Sequence, residues 1–164
     1  MLVEAKAAFW FLPFVLPICW HAAYTDLREM RISNRSVLLL AGVFLLIGPV
    51  VLPLADYGQG LVQMAAILAI GFALNAAGAV GAGDAKFAAA AAGFIAPGDL
   101  RFLLALLAAM LLAGVATHRL VRSTGLRDLA PGWTSWERKR KFPMGLSLGG
   151  TLALYLILGA LLGQ

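Results

Sequence analysis

Six apolar runs, separated by polar and charged stretches, organise the sequence: Ala5–Ala23, Val37–Leu54, Leu61–Val80, Asp84–Ala96, Leu100–Thr117 and Pro143–Leu162. Five of them approach the roughly 20 residues that a helix needs to cross a hydrocarbon core. The fourth gives only about 20 Å of helix against a core of about 30 Å. Either the bilayer thins around it, or its Gly81–Asp84 end sits below the headgroups in a wetted, protein-lined cavity. The second arrangement is the one a working carboxylate needs. The pattern predicts an all-α integral membrane protein, a single domain over residues 1–164, folded as a bundle of six transmembrane helices.

The stretches between the runs carry very unequal charge. Scoring alternate sides puts Arg28, Arg31, Arg35, Lys86, Arg119, Arg122, Arg127, Arg138, Lys139, Arg140 and Lys141 on one side, with only Lys6 and Arg101 on the other. By the positive-inside rule the rich side faces the cytoplasm, so both termini are expected outside. Dropping one span would scramble this alternation. Composition agrees, with 62% of residues hydrophobic and 13% charged, against about 45–50% and about 25% in soluble domains. A water-soluble globule, a disulfide scaffold and a disordered tail are excluded. The net charge of +5 follows the membrane sidedness and is no sign of a nucleic-acid partner; membrane lipids are the expected surroundings. Cys19 has no second cysteine to pair with and lies in an apolar run, so it reads as a buried hydrophobe. Glu4 and Lys6 nearly cancel before the first run, which therefore reads as a retained helix and not as a signal peptide.

Few residues can do chemistry. Glu4, Asp56 and Asp99 fall on the outer side, where solvated carboxylates are ordinary, while Asp128 and Glu137 offset the basic residues near them. Asp26 and Asp84 differ. Each lies at the cytoplasmic end of an apolar run, the first ending a helix and the second opening one, so two neighbouring helices would bring them together. Two close carboxylates in a low-dielectric site cannot both ionise easily. One keeps its proton and polarises a carbonyl while the other activates a water, as in aspartic proteases. Gly81 and Gly83 beside Asp84 let a substrate strand approach the acid closely. The structural alternatives are an N-cap role for Asp84 and an ordinary helix flank for Asp26, beside Arg28 and Arg31.

Other candidates carry less. His21 and His118 stand near span ends without Cys or carboxylate at ligand spacing, so no metal site is expected. Asn75 and Gln63 are expected to hydrogen-bond between helices. Gly145–Gly149 is a GxxxG pattern, and Ala88–Ala92 a run of small side chains, both suited to close helix packing. Trp133, Trp136 and Arg138–Lys141 form a basic, aromatic loop suited to anionic headgroups or to guiding a substrate.

Asp26 with Arg28, Ile32 and Asn34, then Gly81-Ala82-Gly83-Asp84-Ala85-Lys86 after two more runs, resembles the type IV prepilin peptidases, membrane aspartic proteases with a GxGD motif. Phe142-Pro143-Met144-Gly145 is similar to that family's Pro-x-Gly element. The resemblance implies that Asp26 and Asp84 are the catalytic pair, that Gly81 and Gly83 shape the site, and that Lys86 and Asn34 are motif residues. It implies no cofactor. The substrates would be prepilins or pseudopilins, cut at the cytoplasmic face of a prokaryotic inner membrane, where a short basic leader meets an apolar stretch. Two departures stand out. Ser33 occupies the place of the family's usual proline, which predicts a looser turn. The cysteine-bearing insert of the larger, N-methylating members is missing, so methylation is not expected, and the short form resembles the tight-adherence (Flp) pilus peptidases. The rival reading is a small transporter or scaffold in which Asp26, Asp84 and Lys86 relay protons or ions.

Overall fold

The computed structural model describes residues 1–124, 127–128, 130–136 and 142–164, and every regular element among them is helical. Six α-helices follow one another: α1 (Ala5–Glu29), α2 (Asn34–Val51), α3 (Leu54–Ala76), α4 (Ala82–Ala92), α5 (Leu100–Ser123) and α6 (Met144–Leu162). Two short 3-10 turns, Pro97–Asp99 and Thr134–Trp136, complete the described elements. Glu137 and the basic run Arg138–Lys141 lie outside the described residues.

Five of these helices are long and apolar enough to cross a membrane; α4 is not. Its 11 residues give only about 16 Å of helix, shorter still than the apolar run suggests. The run continues to Ala96, but the helix does not. Pro97 disfavours helical geometry in the residue before it, and Ala96 is extended (ψ 131°). Ahead of it the turn tightens, with Phe94 N–H bonded to Ala91 O and Ile95 N–H to Ala92 O. Of the six spans expected from sequence, five are long helices, and the fourth, expected to be short, is shorter still.

Elsewhere the helices outlast the apolar runs. α1 continues past Ala23 until Met30 adopts the left-handed conformation (φ 57°), its N–H bonded to Asp26 O at 2.9 Å. α5 likewise runs through His118 to Ser123. An apolar run marks where lipid would begin, whereas a helix ends where its backbone finds a cap. Ser33 supplies one such cap, accepting Ser36 N–H at 3.1 Å. The turn before α2 is thus fastened by the residue expected to loosen it.

α1 and α6 form the most closely packed pair. A Cβ on Gly149 would stand 2.9 Å from Cys19 O, and one on Gly159 2.7 Å from a Val3 methyl, so the glycines of α6 let the two backbones meet. α4 leans on α3, where a Cβ on Gly71 would lie 2.9 Å from that of Ala85, and it also touches α2 and α6. Phe11, Phe44 and Phe94 fill the middle, with Phe94 edge-on to both partners at centroid distances of 4.8 and 5.3 Å.

The termini meet at the end of the bundle away from Asp26. Gln164 N–H donates to Val3 O, and Ala5 N–H to Gln164 O. Asp99, expected to be a solvated turn residue, is buried there. Its carboxylate accepts Leu2 N–H (2.9 Å), Val3 N–H (3.1 Å) and the Tyr155 hydroxyl (3.0 Å). A charge removed from water must find such donors, and the N-terminal amides and α6 supply them.

Candidate active site

The other end of the bundle gathers the residues singled out in the sequence. Asp26 sits one turn before the end of α1 and is buried. Its side chain faces α6, where Oδ2 accepts Gly145 N–H at 2.6 Å. Gly145 is the second residue of α6, and amides in a first helical turn have no partner within their own helix. Asp26 therefore caps α6 from α1. A Cβ on Gly145 would lie 2.8 Å from Asp26 Cβ and 3.0 Å from its Oδ2, so a side chain there would displace the carboxylate.

Asp84 is the third residue of α4, whose N-cap is Gly81. The N-cap role considered for Asp84 is thus not the one it has, and its half-buried carboxyl makes no hydrogen bond among the described residues. A Cβ on Gly81 would sit 2.6 Å from Asp84 Oδ2, so this glycine leaves the space that the carboxylate fills.

Ile32 joins the two halves. It is buried, lying 3.4 Å from the Cβ position of Gly83 and 3.0 Å, through Cγ1, from that of Gly145. The neighbours of both aspartates thus close on one side chain. Lys86 and Asn34 also meet, the ammonium donating to Asn34 Oδ1 at 3.3 Å at an exposed position. This bond ties the second turn of α4 to the start of α2.

Sequence reasoning named Ile32 and Gly145 only as parts of motifs. Gly145 was legible as a packing glycine, but its bond to Asp26 joins residues at opposite ends of the chain, and no local pattern encodes it. Gln63 does bond beyond its helix, to Ile95 O at 3.2 Å. Asn75 instead closes the α3–α4 connection by donating to Val80 O at 2.8 Å. Trp133 and Trp136 are half-buried against the bundle, and Trp136 Nε1–H donates to Ala130 O at 2.9 Å.

An apolar groove of about 490 Å³ runs along α4 between α3, α5 and α6, from Phe87 and Ala88 to Pro97 and Leu100, with Ile67, Ala91, Leu103, Leu107 and Leu148 among its lining residues. Ala88 and Ala91 follow Asp84 at helical spacing, so they share its face of α4. Chemically, the arrangement offers two carboxyl groups at one end of the bundle, one anchored by a backbone N–H and the other without a hydrogen-bond partner among the described residues.

Comparison with protein families finds a match over residues 13–118 to the model described as the type IV leader peptidase family. No curated protein and no solved structure matches the chain.

Proposed function

The chain belongs to the type IV leader peptidase family, and from that premise we propose that it is an aspartic endopeptidase using Asp26 and Asp84. Its substrates are prepilin-like proteins, cut between a short basic leader and the apolar segment that follows. The cut is made at the cytoplasmic face of a prokaryotic inner membrane, in keeping with the clustering of Lys and Arg toward the aspartate end of the sequence pattern. The observation that supports the reading is that Ile32 packs against both Gly83, beside Asp84, and Gly145, which holds Asp26. The groove along α4, which begins at Phe87 and Ala88 one turn beyond Asp84, gives an apolar segment room.

The chemistry needs only water and the two carboxyl groups. The ionised aspartate takes a proton from water, and the hydroxide so formed adds to the scissile carbonyl carbon. The protonated aspartate gives its proton to the carbonyl oxygen, which yields a gem-diol. As the C–N bond breaks, the leaving nitrogen takes the proton that came from water, and a gem-diol hydroxyl returns a proton to the other carboxylate. Gly145 N–H holds the Asp26 carboxylate through Oδ2, which orients the group for the proton and the water.

The family match favours the peptidase over the relay reading. Its third member, the Lys86 ammonium, is exposed and bonded to Asn34. The deciding experiment is cleavage of a prepilin by the purified chain and by its Asp26→Asn and Asp84→Asn variants. The expected result is leader release by the wild type, with each variant slowed by about 10²–10⁴-fold. Substantial cleavage by either variant would remove that residue from the pair.

A further inference from the structure

Five aromatic side chains form a path that leaves α1 at Tyr24 and leads through α5 to the start of α6, which holds Asp26. Tyr24, two residues before Asp26, meets Trp133 edge-to-face at 6.1 Å and 88°. Trp133 stacks on Trp136 at 5.6 Å and 10°. Trp136 stacks in turn on His118 of α5 at 4.8 Å and 20°. His118 meets Phe142 edge-on at 6.0 Å and 85°. Phe142 is seated over Gly114, one turn before His118, where a Cβ would stand 2.9 Å from its ring. The buried Pro143 follows, and two residues further on Gly145 N–H donates to Asp26 Oδ2.

We propose that Trp136 and His118 are positioning residues for Asp26. Their stack fixes Phe142, Phe142 fixes the first turn of α6, and that turn holds the Asp26 carboxylate through Gly145 N–H. The inference rests on the catalytic reading of Asp26 given above. His118 is buried, and its Nε2 has no hydrogen-bond partner among the described residues. The contacts it makes with Trp136 and Phe142 are through its ring, so the proposed role is one of packing, in which a phenyl ring can stand in for the imidazole. The 2.6 Å bond leaves little room for α6 to shift. Misplacing a reacting group by about 1 Å costs on the order of 10²-fold in rate, so losing the stack is expected to act on the chemical step and not on substrate capture.

The test compares Trp136→Ala and His118→Ala with Trp136→Phe and His118→Phe, measuring kcat and KM for prepilin cleavage and the thermal unfolding of each purified variant. The alanine variants are expected to lose about 10–10²-fold in kcat with KM unchanged, and the phenylalanine variants to regain wild-type kcat. If an alanine variant does not fold, Trp136→Leu or His118→Leu, which keeps apolar bulk without a ring, takes its place in the comparison. Wild-type kcat in the ring-less variants would overturn the inference, as would a change confined to KM. Loss of activity in His118→Phe equal to that in His118→Ala would show that the imidazole acts chemically and would also overturn it. If the wild type itself fails to cleave any prepilin, the proposed function falls, and this inference with it.

Discussion

Gly81 and Gly145 act by leaving room for a carboxylate, and the two should respond differently to the same substitution. Gly81 is exposed and has an ordinary extended conformation (φ −66°, ψ 141°), so Gly81→Ala should change stability by no more than about 0.5 kcal/mol. The new methyl would occupy the place of Asp84 Oδ2, 2.6 Å away. Cleavage is expected to fall at least about 10-fold while the melting curve stays in place. Gly145→Ala would press on the Asp26 Cβ at 2.8 Å, between helices that cannot easily part. A loss of about 1–3 kcal/mol in thermal or denaturant unfolding is expected together with loss of activity. An active Gly145→Ala protein would mean that the Asp26 carboxylate keeps its place despite the added methyl. At this scale the sequence showed the acids and the glycines beside Asp84, because GxGD is contiguous. It did not show that Gly145 serves Asp26, since only the packing of α1 against α6 creates that contact.

The helices were legible as apolar runs, but their ends were not. Asp26 lies inside α1 because the helix runs on to the left-handed Met30, beyond the last apolar residue of the run. α4 stops short because Pro97 bends the chain that the alanines would otherwise continue as helix. The GxxxG of α6 was visible as a pattern, and its partner was supplied by the fold. Gly149 faces the backbone carbonyl of Cys19 at 2.9 Å from its Cβ position, and a carbonyl inside a helix cannot swing aside. Gly149→Val should therefore push α1 and α6 apart and cost about 1–3 kcal/mol of stability, read as a lower midpoint of thermal unfolding in detergent. An unchanged midpoint would show that the pair tolerates separation.

Over the whole molecule, the two ends have different work. The far end is held by Asp99, which gathers the N-terminal amides and Tyr155, while Ala96 N–H donates to the same Tyr155 hydroxyl at 3.1 Å. Burial of Asp99 was illegible because the sequence shows a Pro-Gly-Asp turn and not the chain terminus that folds over it. Asp99→Ala would leave buried donors unpaired at about 1–3 kcal/mol each, so it should destabilise the bundle strongly, whereas Asp56→Ala at an exposed position should leave the unfolding midpoint unchanged. The aspartate end is where the family assignment and the charge pattern converge. Prepilin cleavage by the purified chain, beside Asp26→Asn and Asp84→Asn, tests the central claim most directly, with the cut located by mass spectrometry. Leader release by the wild type alone, from variants that unfold at the wild-type temperature, is the predicted result. Cleavage that survives either substitution, or a wild type inert toward every prepilin offered, would contradict the account.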